Sequence, residues 1–402
     1  MTANKRIGTL RIAIVVHGKF HAFELARALI DRGHHVTLLT SYPKFILKRE
    51  NIPSKNVKSF AVHGVLSKVS GRIKRLIGVE LSERWIHQMF GNWSSRNIER
   101  DSWDLIFCWS GVSEEILLKT RNFKTRCILV RGSTHIRTQR CLLDEEEKRA
   151  GLRIDKPSDW MLAREEREYE LADKIRVLSD FSYKSFLLNG VCADKLWLHP
   201  SSFPISRFKL KPETWIFKKK QALDNGPLRV LYVGHLSYRK GMADLKEVIQ
   251  LLPQHRFVFR LVGEPLLETT PLFSKLSPNV EFCGPHPQRE LPKFYEWADL
   301  FVFPTIEDGF PQVLAQAYIS GLPILTTTNS SAPDFLKEGV TGWIFPIRRP
   351  DLFVEKLLWC DSHRMEITTM VTTIEREIGS KKFRTWDDAA REVDDFYEGL
   401  CH

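Results

Sequence analysis

Two adjacent cations and a glycine, Arg239, Lys240 and Gly241, form the most chemically pointed group in this 402-residue chain. They lie between LRVLYV, an apolar run of strand character, and MADLKEVIQLLP, whose apolar residues recur with helical spacing. Gly234 precedes them, so the segment reads as a strand-to-helix turn. Such a turn brings two positive side chains and the free N–H groups of a helix N-terminus to one place, which suits an anion such as phosphate. A surface Arg-Lys pair is the alternative. Later in the chain, Glu307 and Asp308 precede Gly309, Phe310 and Pro311, where another helix starts. The two carboxylates either cap that helix or hold a ligand at its end. His135 follows the strand CILV in the turn GSTH, between Arg131 and Arg137. A histidine at the carboxyl end of a strand is placed to meet a ligand, and a structural role is the alternative.

Several chemistries are excluded. There is no GxxxxGK[ST], no HExxH, and only Gly18 follows the first strand where a GxGxxG would stand. No DxD metal motif is present. The seven cysteines contain no CxxC pair and read as reduced structural thiols.

The elements that must position these residues alternate. RIAIVVH is a buried strand, Phe20 to Arg32 a helix stopped by Gly33, and HVTLLT the next strand. Strands DLIFCWS, CILV and KIRVLSD follow, interleaved with charged helices. A second series begins at Leu228 with LRVLYV, FVFRLVGE, NVEFCG, DLFVFPT, LPILTT and TGWIFPI. The pattern predicts two doubly wound α/β domains, residues 1–205 and 206–382, facing a cleft. The proline-rich stretch 200–227, with its basic run Lys218 to Lys220, reads as the connection between them. The last segment, residues 383–402, reads as a helix, with Trp386 as a packing residue.

The chain carries a net charge of +11, and residues 1–200 hold +12 of it. A basic first half predicts an acidic partner, and a solvated basic face is the alternative. Lys68, Arg72, Lys74 and Arg75 fall in a stretch that also contains Leu, Val and Ile. It fits either an amphipathic helix on a membrane surface or a helix pair packed on the sheet, with Gly71 and Gly78 weakening any long helix. No apolar run reaches the about 20 residues of a spanning helix. The expectation is a cytoplasmic protein, peripheral on the inner face of an anionic membrane. Charge alone would permit nucleic-acid binding, but no nucleic-acid motif accompanies it, so none is expected.

The segments VGHLSYRKG, FRLVGE, VEFCGPHPQRELPKFYEWADLFVFPTIEDGFPQVLAQAYISGLPILTT and EGVTGWIFP, in this order, resemble the donor-binding domain of family 4 retaining glycosyltransferases. In the first half, HAFELARALIDRGHHVTLLT and VRGSTHIRTQRCLLDEEEKRAGL are similar to the same family. The resemblance implies a GT-B fold whose final helix, residues 383–402, crosses back onto the first domain, a nucleotide-sugar donor as co-substrate rather than a cofactor, no metal, and a sugar or lipid-linked acceptor. It implies retention of configuration by same-face attack, with the leaving phosphate taking the acceptor proton, in surface polysaccharide or glycolipid assembly.

Residue by residue, Lys240 matches the family's lysine, and His235 stands where its arginine is usual, with Arg239 as the replacement. A departing diphosphate develops negative charge that both cations would stabilise. The family's two glutamates, one on the donor sugar and one on the ribose, fall here on Asp308 and Gln316, with Glu307 one residue earlier. Gln316 can still bond a ribose hydroxyl. The resemblance places the Gly309–Phe310–Pro311 turn, with the N–H groups of Phe310 and Gln312, by the sugar or phosphate. It places His135 beside the donor sugar and His21 in the opening helix, which Gly18 lets approach the cleft. It puts the base against Gly263, Glu264 and the turn from Gly284 through Pro285 to Gln288. The altered Asp308/Gln316 pair also admits a second reading, a nucleotide-sugar-binding protein with reduced or lost catalysis.

Overall fold

The computed structural model describes residues 8–77, 83–100, 102–273, 277–380 and 383–401. Two all-parallel sheets organise the chain. The first is built from β1 (Arg11–Val16), β2 (His35–Thr40), β3 (Val57–Ser59), β4 (Leu105–Trp109), β5 (Arg126–Val130), β6 (Lys174–Val177) and β7 (Leu196–Leu198). Their spatial order is β3-β2-β1-β4-β5-β6-β7. The second contains β8 (Leu228–Val233), β9 (Phe257–Val262), β10 (Val280–Gly284), β11 (Leu300–Phe303), β12 (Ile324–Thr327) and β13 (Gly342–Phe345), ordered β10-β9-β8-β11-β12-β13. In both sheets the order reverses beside the first strand, between β1 and β4 and between β8 and β11. Crevices at such switch points, outside the carboxyl ends of the strands, are where doubly wound sheets bind ligands.

The near-continuous apolar runs of the sequence follow from burial on both faces. Ile12, Ile14 and Val16 of β1 join one core, while Ala13 and Val15 join the core on the other face. Full burial of each such aliphatic side chain contributes roughly 1.5–3 kcal/mol. The second sheet has one large core running from Phe208 to Ile378.

Local structure refines the sequence pattern in four places. The opening helix starts at Ala22, two residues later than its spacing suggests, because Phe20 adopts φ +37° and leaves its ring exposed over Gly18. The stretch after β3 is a helix pair, Ala61–Ile77 and Glu83–Arg96, and the first runs through Gly71. The side chains of Lys68, Arg72, Lys74 and Arg75 lie outside the described residues. The 200–227 stretch is not a plain connection. Its helix Pro212–Ala222 buries Trp215 in the second core, and Lys218 is buried, donating to the carbonyls of Tyr295 (2.8 Å) and Ala298 (2.9 Å). Finally, Trp386 starts the helix Trp386–Cys401, whose Ala390 and Val393 enter the first core, yet its own ring reaches the cleft. No helix among the described residues is long and apolar enough to cross a membrane.

Candidate active site between the two sheets

A cleft of about 1160 Å³ separates the sheets and is lined by both. Of the residues singled out above, Arg239, Lys240, Asp308, Phe310 and Gln312 line it, together with Gln288 and His235. The local reason is the turn after β8. Ser237 accepts a bond from the N–H of Lys240 (3.3 Å), and Gly241 takes φ +75° before the helix Met242–Leu251. A Cβ on Gly241 would lie 1.8 Å from the Pro304 carbonyl oxygen, so only glycine fits there. Arg239 and Lys240 are thereby held at the N-terminal end of that helix, as the anion-site reading requires.

Consecutive acids after β11 meet consecutive bases. Lys240 Nζ pairs with Asp308 Oδ2 at 2.5 Å, and Arg239 Nε pairs with Glu307 Oε2 at 2.9 Å. The two pairs have different surroundings. Asp308 lines the cleft. Glu307 is fully buried, and its Oε1 accepts from Ser133 Oγ, from Thr134 N (3.0 Å) and from Thr134 Oγ1 (2.8 Å), all in the first domain. Arg239 Nη2 also reaches Ser133 Oγ at 2.8 Å. Burial alone would raise the Glu307 pKa, but Arg239, Lys240 and the Ser133 and Thr134 donors outweigh it and hold it at about 2. Lys240 moves down, through burial first and then Arg239, against the pull of Asp308 and Glu307. Glu307 is therefore a clamp between domains rather than a donor-contacting residue. Gly309 completes the junction: a Cβ there would meet Gly132 O at 2.6 Å and Ser133 Cα at 2.8 Å.

Several expected contacts are not in the cleft lining. Gln316 is buried in the helix Gln312–Ile319, where its Oε1 accepts from Tyr295 Oη at 2.9 Å, so its side chain faces the core and not a ribose. His135 caps the helix Ile136–Ala150 by accepting from Arg137 N (3.2 Å), and its ring packs on Tyr169 and Phe186. Burial, reinforced by Arg131 and Arg137 and opposed by Glu166, lowers its pKa to about 4. The structural alternative thus describes His135 better than a donor contact. Gly234 and Gly263 form a backbone shelf, with Gly234 N bonded to Val262 O (3.0 Å) and Gly263 N to Gly284 O (3.0 Å). Neither these two glycines nor Glu264, Pro285, Pro311 and Gly18 are among the residues that line the cleft.

The first-domain wall contains residues the sequence did not announce. His17, His87 and Trp109 line it beside His21 and Trp386. The His17 and His87 rings are 5.8 Å apart, and His87 Nδ1 bonds the Gly111 carbonyl at 2.8 Å. Burial, then His87 and His63, lowers the His17 pKa to about 3. Arg131 also lines the wall but is fastened to Glu165 (3.1 Å), Gln139 (2.7 Å) and Thr134 O (3.0 Å). His17 and Trp109 stand at the ends of strands, whereas His87 lies inside the helix Glu83–Arg96, where nothing local marks it.

Two facing Rossmann-type sheets with this crevice define a GT-B protein. Residues 213–364 match the family described as glycosyl transferases group 1. Among curated proteins, the amylovoran biosynthesis glycosyltransferase AmsK of Erwinia amylovora is 28% identical over 172 residues, covering 38% of this chain and 42% of that protein. The chain spans about half the length of the curated relatives it matches. Among solved structures, HepE of Anabaena in complex with UDP and glucose superposes with TM-score 0.67 at 16% identity, covering 97% of this chain and 100% of that one. Sucrose-phosphate synthase of Thermosynechococcus elongatus gives 0.71 at 16%, covering 97% and 99%. At that identity the likeness establishes the fold.

Proposed function

We propose that this protein is a glycosyltransferase that moves a sugar from a nucleotide-sugar to an acceptor with retention of configuration, in surface-polysaccharide or glycolipid assembly. The observation that carries the reading is the pair Arg239 and Lys240, held at a helix N-terminus in a cleft between two Rossmann-type sheets. Two cations there offset the charge that develops on a departing diphosphate. The proposed reaction uses these cations in place of a metal, as the family resemblance implies. Asp308 on Lys240 meets the sugar, and the leaving phosphate takes the acceptor proton. The names of AmsK and of other relatives from capsule and colanic acid synthesis favour the same direction.

Melting of the full chain with UDP-, GDP- and ADP-sugars, followed by mass spectrometry with membrane lipid extract as acceptor, tests the proposal. A nucleotide-dependent shift and a glycosylated lipid, both unchanged by EDTA, are expected. No shift with any nucleotide-sugar would remove it.

A binding protein without turnover is the second reading, motivated by the burial of Gln316 against Tyr295. Binding without transfer or donor hydrolysis would select it. We also place the first domain on an anionic membrane at the cytoplasmic face. Val62, Val65 and Trp85 are exposed on the helix pair after β3, in the basic half of the chain. Sedimentation with phosphatidylglycerol vesicles, but not with phosphatidylcholine vesicles, is the expected outcome.

A further inference from the structure

Behind the first-domain wall lies a group of buried polar atoms that the fold leaves unpaired. Arg176 is on β6, and its neighbours Ile175 and Val177 belong to one core of the first sheet. Strand alternation turns Arg176 to the other face, shared with Phe107, Trp109 and Val130 and covered by Ala390 and Val393 of the final helix. It is fully buried. Its Nε donates to His199 O at 3.1 Å, but Nη1 and Nη2 have no hydrogen-bond partner among the described residues. The same is true of Trp109 Nε1, His21 Nε2 and His199 Nδ1. These groups share one neighbourhood. The His21 ring lies 5.4 Å from that of Trp109 and stacks on Trp386 at 6.1 Å. Burial first, and the Arg176 charge second, hold both His21 and His199 well below the usual imidazole range.

Buried polar atoms in folded proteins are nearly all paired, and a buried guanidinium without a counter-charge is strongly unfavourable. Glu392 acts on Arg176 only at a distance: its carboxylate bonds Arg384 at 2.7 Å and contacts His199 at 3.3 Å, and burial, with the Arg384 charge, outweighs its pull and lowers the Arg176 pKa to about 9. With Nε already engaged, the two terminal nitrogens form an end-on fork. That fork matches the two oxygens of a planar carboxylate, and the Trp109 N–H can only donate. His21, Trp109 and Trp386 all line the cleft, so the fork stands one side chain behind open space.

We propose that Arg176, Trp109 and His21 form a carboxylate subsite at the base of the first-domain half of the cleft, taking the carboxylate of a uronic acid in the acceptor. The word acceptor rests on the glycosyltransferase reading; binding of the carboxylate does not. Phosphate belongs on the opposite wall, with Arg239 and Lys240. A rotamer change of His21 opens the path, a scale of adjustment common when ligands bind.

The test is calorimetry and melting of the full chain with glucuronate, galacturonate, glucose and inorganic phosphate, alongside UDP, GDP and ADP. Saturable stabilisation by the uronates and none by glucose is expected. Arg176→Met should weaken uronate binding by at least ~10-fold, the scale of a charged hydrogen bond, and leave the nucleotide response unchanged. Should that variant not fold, Trp109→Phe removes one donor and is expected to weaken uronate binding by ~3–10-fold. Equal responses to glucose and uronate, or uronate binding unchanged in these variants, would overturn the subsite. A nucleotide response without a uronate response removes the subsite alone. A uronate response without any nucleotide response removes the glycosyltransferase reading and leaves the subsite standing.

Discussion

The two walls of the cleft are made by opposite means. The second-domain wall is charged and local: two consecutive cations, Arg239 and Lys240, face two consecutive acids, Glu307 and Asp308. The first-domain wall is mixed and dispersed: the imidazoles of His17, His21 and His87 and the indole of Trp109 stand among Lys19, Glu24, Arg27, Arg131 and Glu165, and burial keeps His17 and His21 uncharged. Compensated cations suit a diphosphate, whose charge grows as it leaves. The neutral imidazole of His17 suits hydroxyl groups, which need donors and acceptors rather than net charge, while His21 stands with the charged Arg176 behind it. The charged wall also does two jobs at once, because one acid faces the cleft while its neighbour locks the domains.

The largest expected effect breaks that lock. Glu307→Ala leaves Arg239 without its buried partner and should cost about 3–5 kcal/mol in denaturant unfolding. Loss below about 1 kcal/mol would mean that the clamp is not stabilising. The pH dependence has a definite sign. The folded Glu307 pKa of about 2 lies below its unfolded value of 4.5. Its stabilisation is therefore complete above pH 4.5 and is lost as pH falls towards 2, about 3 kcal/mol in all. The difference between wild type and Glu307→Gln should narrow across that window.

Next comes Lys240→Met, expected to lower kcat/KM for the donor by ~10²–10³-fold while leaving the fold intact. A loss under about 5-fold would place the leaving group elsewhere. Gly309→Ala forces a Cβ against Gly132 and Ser133 of the other domain. It should cost about 1–3 kcal/mol and give a more open shape in small-angle scattering. His17→Asn probes the imidazoles of the first-domain wall. The folded His17 takes up its proton near pH 3 and the unfolded chain near 6.5, so the residue contributes a loss of stability as pH falls from 6.5 to 3. The variant should flatten the melting curve over that range. The smallest effect is expected from Gln316→Glu, whose side chain faces Tyr295; donor KM should stay within ~2-fold. A large drop in KM would bring position 316 back to the ribose.

The strands were legible because burial on both faces demands continuous apolar runs, and the Arg239–Lys240 turn was legible because its glycine, cations and helix start are all within a few residues. Neighbouring residues were harder to separate. Nothing in Glu307-Asp308 states which carboxylate looks outward; that depends on the Gly132–Thr134 turn of the other domain. His135 was ambiguous for the same reason, since a histidine after a strand can turn inward as a cap as readily as outward. Trp386 looked like packing and is packing, but on His21 at the cleft edge.

Local patterning thus determined by itself the two α/β halves, their strand content and the cationic turn, because periodicity and turn chemistry act over short range. Tertiary structure alone decided that Glu307 clamps while Asp308 faces the cleft, that Gln316 meets Tyr295, and that Arg176 is buried behind His21. Those outcomes depend on which side of a strand or helix meets the other domain or the returning final helix, and contacts between residues far apart in sequence leave no local signature.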